Sequence, residues 1–282
     1  MANSTDEYWS IGSTSLHQFG WSVATVGGSR YDLPPRRGDN LHFAYRPGSM
    51  HRPKLADSRV INLVMWLTGA DPATGNSVSD PTLQWNDSWD FIRRLVWRYD
   101  GSQFTLTRRW NLTVSSTKTL VAADALAEIS DTMTPTMTGR TRADFTMTLL
   151  LADPYFYGTQ VTTDFAVGTP VSVVNPGHDA AAFSNLQVDF VGPLTNPRLT
   201  NATPSPDVWV QYNGTISSGQ TVRLDAGAFT ALRVSDSANL VGNLSHSGAR
   251  HWMGVLPGTN TITLTADSGA GSAELRFRPP YV

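Results

Sequence analysis

The feature that most constrains this chain is a period-two alternation of apolar and polar residues that recurs from one end to the other. In Phe104-Thr-Leu106-Thr the apolar side chains fall on one face of a strand. The same holds for Phe145-Thr-Met147-Thr-Leu149, Thr261-Ile-Thr-Leu-Thr265 and Glu274-Leu-Arg-Phe-Arg278. Turn-forming pairs punctuate these runs at short intervals: Gly27-Gly28, Pro34-Pro35, Pro47-Gly48, Asp100-Gly101, Asn213-Gly214 and Pro257-Gly258. Many short strands between frequent turns predict an all-β protein of sandwich or barrel type.

One segment departs from this pattern. Trp89, Ile92, Val96 and Tyr99 recur at spacings of three and four, the period of a helical face, so Ser88 to Tyr99 is expected to be a helix. Asn86, Asp87 and Ser88 are all good N-cap types, Asp90 and Arg98 suit the helix dipole, and Gly101 follows as a stop. Ala122 to Ile129 is ambiguous between a short helix and the start of a strand. With 282 residues the chain has room for two domains. A boundary is expected near Tyr157-Gly158, giving an N-terminal domain 1–157 and a C-terminal domain 158–282. Beyond it Trp becomes sparse and Gly, Ser, Asn and Pro turns become denser.

Composition narrows the function. Charged residues are 16% of the chain, against roughly 25% in ordinary globular proteins. A surface so poor in charge either solvates itself with Ser, Thr and Asn or is covered by partners. The nine Trp residues favour partners, because large aromatics anchor interfaces. A net charge of −2 gives no concentrated basic surface for nucleic acid. The absence of cysteine excludes disulfides, thiol catalysis and zinc–thiolate sites. The polar, acidic start predicts no signal peptide, and Val60 to Leu67, the most apolar run, is too short to cross a bilayer. Synthesis in a cytoplasm is expected, which makes the Asn111-Leu-Thr113 and Asn213-Gly-Thr215 sequons incidental.

Sequence signatures of enzymatic chemistry are missing. There is no Gly-x-Ser-x-Gly elbow, no Walker loop and no Gly-x-Gly-x-x-Gly; Gly269-Ala-Gly271 has Glu274 where a third glycine belongs. His246 and His251, five apart, would point to opposite faces of one strand. No enzyme activity, cofactor or metal is expected. The Arg36-Arg37-Gly-Asp39-Asn40 run is read as a tight turn built on the backbone freedom of Gly38, in preference to an adhesion motif. Arg46, His51, Arg52 and Lys54 form a loose basic patch, with Asp32, Asp39 and Asp57 interspersed for ion pairing.

Taken in order, several segments resemble the distal tail proteins of siphophages. Ile11-Gly12 to Gly20-Trp21-Ser-Val23 is similar to the first strands of that family, followed by Arg37-Gly-Asp-Asn40, Arg46-Pro-Gly48 and Asp57-Ser-Arg59 leading into Leu63 and Trp66-Leu67. Asp153-Pro-Tyr-Phe-Tyr157 closes the first half. Val174-Asn-Pro-Gly177, Gly192-Pro-Leu-Thr-Asn-Pro197 and Leu256-Pro-Gly-Thr-Asn260 follow in the second. The resemblance spans nearly the whole chain.

The resemblance implies an N-terminal β-sandwich or split barrel with an extended belt arm and one helix, and a C-terminal galectin-like jelly-roll β-sandwich. It further implies a structural virion protein whose copies, six in the family, close into a ring at the tail tip. Such a ring joins the tail tube or terminator to the hub protein and passes DNA through its lumen without binding it. Arg36, Arg37, Asp39, Asn40, Arg46, Arg52, Trp66, Trp89 and Ile92 are then candidates for subunit contact, although Trp89 and Ile92 could equally cover their own sandwich. The rival reading is a carbohydrate-binding adsorption module, with Trp209, Tyr212 and Trp252 stacking on a sugar.

Overall fold

The computed structural model describes residues 7–24, 32–38, 41–42, 49–50, 55–99, 101–114, 117–131, 133–181, 186–247 and 252–282. Contacts divide the chain into two compact units, Met1–Phe156 with Val282, and Tyr157–Tyr281. Both units are built from antiparallel strands.

The first unit is one curled sheet closed by a helix. Its strands are β1 (Glu7–Ile11), β2 (Thr14–Ser15), β3 (Trp21–Val23), β4 (Arg59–Thr68), β5 (Phe104–Val114), β6 (Thr117–Ile129) and β7 (Arg142–Leu151), ordered β2-β1-β5-β6-β7-β4-β3. Alternation decides which face each residue takes. Ile61, Leu63, Met65 and Leu67 of β4 pair in register with Leu149, Met147, Phe145 and Ala143 of β7, and all eight are buried on the inner face. Ala123, Ala125 and Ala127 extend that face along β6, with Leu106 and Phe104 opposite the last two. Ala122 to Ile129 is therefore strand. The apolar residues that could have faced a core at helical spacing are spread over both sides, with Leu126 outward and 57% exposed.

The helix, α1, runs from Pro81 to Trp97, starting two turns before the expected Ser88. Asp80 is the cap: its carboxylate accepts from the backbone N–H of Thr82 at 3.1 Å and of Leu83 at 3.0 Å. Pro81 follows at the first helical position, where its missing N–H costs nothing. Asn86, Asp87 and Ser88 lie inside the helix, and Ser88 is buried with Ile92 and Leu95 on the face turned to the sheet. Gly101, at φ +68°, turns the chain into β5.

The second unit packs two five-stranded sheets face to face. The strands are β8 (Val161–Ala166), β9 (Pro170–Asn175), β10 (Gln187–Val191), β11 (Arg198–Asn201), β12 (Val208–Tyr212), β13 (Thr221–Asp225), β14 (Thr230–Arg233), β15 (Leu244–His246), β16 (Gly258–Thr265) and β17 (Ser272–Phe277). One sheet has the order β8-β17-β10-β13-β14 and the other β9-β16-β11-β12-β15. Phe165, Val188, Phe190, Leu224 and Leu275 from the first meet Val173, Leu199, Val210, Ile262 and Leu264 from the second in a common core. Three fully buried asparagines hold the loops at one end. Asn260 binds Leu256 and Gly258 through backbone groups, Asn201 bridges Asn260 and Gly254, and Asn175 reaches Asp179 and Val255.

Candidate interaction surfaces

The most unusual surface of the first unit lies on β4. Its inner positions are apolar, as in any half-buried strand, but so are most outer ones: Val60, Val64 and Trp66 alternate with the core residues, with Asn62 and Thr68 between and beyond them. Val60 is 46% exposed, and Val64 and Trp66 are half-buried. A strand apolar on both faces is the pattern of one covered on both sides. The neighbouring outer positions of β7 continue the surface. Leu150 stands opposite Val60, Thr146 opposite Val64 and Asp144 opposite Trp66. Val64, Asp144, Thr146 and Thr148 line a shallow open groove with Asp131, Thr134 and Thr136.

Trp66 thus sits on this outer face, as a contact residue would. Arg36 and Arg37 form a two-residue strand paired with Leu55 and Ala56, and both side chains are exposed. Gly38 follows at φ +109°, a backbone conformation that favours glycine; the two arginines before it are strand, and the rest of the expected turn lies outside the described residues. Leu33, just before, is 74% exposed. Asp39, Asn40, Arg46 and Arg52 lie outside the described residues, as do His51 and Lys54.

The remaining two candidates of that set are engaged within their own unit. Ile92 is fully buried beneath α1, which removes it from any surface. Trp89 packs edge-on against Phe145 at 5.3 Å between ring centres and stacks near Trp85 at 6.5 Å, so it covers the inner face of β7. The outward side of α1 instead presents Leu83, 58% exposed, and Trp97, 77% exposed. Both escaped the sequence reading because the three-and-four spacing that identifies a helix singles out its inward stripe.

Two arginines of the first unit are buried. Arg108 pairs with Glu7 at 3.0 Å and lies between Trp9 and Trp110, at 5.3 and 4.8 Å from their ring centres. Arg59 is buried nearby, and burial first and Arg108 second lower its pKa to about 10, with Asp32 acting in the other direction. Arg59 remains a cation at neutral pH, held inside the fold and unavailable to a ligand.

In the second unit the three aromatic candidates do not converge. Trp209 and Tyr212 are three apart on β12, so they point to opposite faces. Tyr212 is core, whereas Trp209 is half-buried on the outer face beneath the Arg198 guanidinium, 4.1 Å from the ring centre. Trp252 packs edge-on with Phe229 at 5.7 Å and against the core of the unit. No single sugar platform contains all three residues.

The outer face of the other sheet is closed on itself by ion pairs. Asp189 accepts two bonds of 2.8 Å from Arg223 and a third from Arg276, and Arg276 meets Glu274 at 2.9 Å. The Asp189 carboxylate, by hydrogen bonding, raises the pKa of Arg223. Gln187 bonds to Asp225 at 2.8 Å. Among the described residues no three His, Asp or Glu side chains gather in a way that could hold a metal ion. His246 lies on β15, and His251 is outside the described residues.

No family model and no curated protein matches the sequence. Solved structures do match. A chain of the phage P2 baseplate in its calcium-activated conformation aligns over 98% of this chain and 99% of its own, with 9% identity and a TM-score of 0.38. The Dit (gp 19.1) protein of SPP1, described as a paradigm of the hub adsorption apparatus in phages that infect Gram-positive bacteria, aligns far better. It covers 98% of this chain and 99% of its own, with 12% identity and a TM-score of 0.62. From end to end, the chain has the all-β fold of a phage distal tail protein.

Proposed function

We propose that this protein is a structural subunit of a phage tail tip, whose copies close into a ring between the tail tube and the hub. The observation that carries the reading is β4, an apolar strand on both faces whose outer face the subunit leaves exposed at Val60 and half-exposed at Val64 and Trp66. A ring of identical subunits needs one surface of this kind, met by a different surface on the next copy, repeated around the axis. Obligate contacts of that type bury on the order of 2,000 Å² or more. The exposed Leu33, Arg36 and Arg37, together with Leu83 and Trp97 on α1, are among the partner surfaces available on the same unit. The likeness to SPP1 Dit supports the placement at the tip, and six copies is the number the family resemblance implies. The tail-tube or terminator subunit would meet one face of the ring and the hub the other. DNA would pass through a lumen whose loops are neutral or acidic, a point that an arginine-lined lumen in the assembled tail would refute.

The test is the native mass of the purified chain by light scattering, with particles imaged by electron microscopy. Rings of about six 30.7 kDa subunits are expected. Val64→Arg places a charge in the middle of the outer face of β4 and should reduce the particles to monomers. Its own thermal stability should stay within about 1 kcal/mol of the parent, since the substitution leaves the core untouched. Assembly that survives Val64→Arg and Trp66→Ala together would remove β4 from the interface.

A further inference from the structure

The two outer faces of the second unit differ in kind. On the sheet of β8, β17, β10, β13 and β14, cations and carboxylates neutralise one another around Asp189. On the sheet of β9, β16, β11, β12 and β15 the outward positions of the three central strands are mostly hydroxyls and amides, with Arg198 and Trp209 among them, whereas edge strand β9 turns Pro170 and Val174 outward. Thr263, Thr200 and Trp209 stand side by side on one rung, and Thr265, Arg198, Gln211 and Ser245 on the next. Arg198 is the one charged side chain in these two rungs, and it makes no ion pair among the described residues.

Its position is nevertheless fixed. The guanidinium lies over the indole of Trp209 at 4.1 Å, and its Nε donates to the Thr200 hydroxyl at 3.2 Å. The Thr265 hydroxyl donates to the Arg198 carbonyl at 3.4 Å. The indole and the Nε bond restrain the guanidinium, and its two terminal nitrogens make no hydrogen bond among the described residues. A guanidinium held in this way is suited to two parallel bonds to a carboxylate or phosphate, and among the described residues no carboxylate supplies them. The surrounding Thr263, Thr265, Ser245 and Gln211 offer the donors and acceptors that a chain of hydroxyls requires. The face is open, which suits an extended chain crossing the strands more than an enclosed small molecule.

We infer that Arg198 and Trp209 form a binding site for an anionic glycan or polyol chain, its acid group held by the guanidinium fork and its hydroxyls by the two threonine-bearing rungs. The site is independent of the ring contact, which lies on the other unit. Neither Tyr212 nor Trp252 takes part.

Titration calorimetry on the full chain tests this with three oligomers of equal length: a polyuronate, a polyol phosphate and a neutral glucan. Binding of either anionic oligomer is expected, and which one binds identifies the acid group. The neutral glucan should bind about tenfold more weakly or not at all. Arg198→Gln should abolish the preference with an unchanged melting temperature. Arg198→Lys, which keeps the charge without the fork, should restore only part of it. Trp209→Phe, which keeps a smaller ring beneath the guanidinium, should bind more weakly than the parent. Failure of both anionic oligomers to bind at millimolar concentration would overturn the inference, as would equal binding of the neutral glucan or wild-type binding by Arg198→Gln. None of these results bears on ring formation, which light scattering of the same variants reads separately.

Discussion

Asn260→Ala is expected to destabilise the second unit by about 3–5 kcal/mol. The side chain is fully buried and uses all of its hydrogen-bonding capacity. Its amide nitrogen donates to the carbonyls of Leu256 at 2.7 Å and Gly258 at 3.0 Å. Its oxygen accepts from the Leu256 N–H and the Asn201 amide, both at 2.9 Å. Removing it takes one bond each from the Leu256 N–H, the Leu256 and Gly258 carbonyls and the Asn201 amide, which keeps only its bond to Gly254, and each lost bond costs about 1–3 kcal/mol if water cannot replace it, with relaxation recovering part of the sum. Urea denaturation followed by fluorescence measures the loss directly. Asn260→Asp separates hydrogen bonding from shape. A carboxylate there would face two carbonyls, so the folded state favours the protonated acid and the folded pKa rises above the unfolded value of about 4. Stability of that variant is then highest below this unfolded value and falls as pH rises through the window up to the raised folded pKa. A flat profile across that window would mean that the loop opens to admit water.

Phe145→Ala should cost the first unit about 3–5 kcal/mol, as expected for a large aromatic removed from a close-packed core. Phe145 is 4% exposed, stands in register with Met65, and carries Trp89 of α1 edge-on against its ring. Its loss therefore loosens the helix as well as the sheet. Trp89→Ala removes the same contact from the other side. The double variant should be less destabilised than the sum of the two by about 0.5–1.5 kcal/mol, the coupling typical of such ring pairs. Strict additivity in equilibrium denaturation would show that the Trp89–Phe145 contact adds nothing to the docking of α1, which would then rest on Ile92, Leu95 and the stacking of Phe91 on Trp21.

The sequence reveals strands well and faces poorly once aromatic residues are involved. The alternation Phe145-Thr-Met147-Thr-Leu149 identifies β7 and its buried side directly, because nothing but the core claims the apolar positions. On β12 the same alternation holds, and a spacing of three divides Trp209 and Tyr212 between faces, so aromatic character alone is no guide to a shared site. The helix showed its inward stripe but not its beginning, since the Asp80-Pro81 start precedes the first clearly periodic residue. Arg198 carried no signal at all. The role inferred for it rests on its register with Thr265 and Gln211 and on the absence of an ion pair to it among the described residues, both properties of strands brought together from distant parts of the chain. The groove beside Val64 is hidden for the same reason, being assembled from β4, β7 and the segment that contains Asp131 and Thr136.

The pairing of β4 also sets an order of events for the newborn chain. Its first partner, β3, precedes it, but covers only Met65 to Leu67 in the ladder. Its main partner, β7, is made only after α1 and the long β5–β6 hairpin, so Ile61 must wait for Leu149. Throughout that interval Val60 to Leu67 is an uncharged, proline-free, β-prone segment with a free backbone edge, the composition that seeds intermolecular pairing. Yield of the recombinant chain should therefore depend on the speed of synthesis and on temperature more steeply than its final stability suggests. The helper such a chain needs is one that shields a single strand until the last third of the first unit leaves the ribosome.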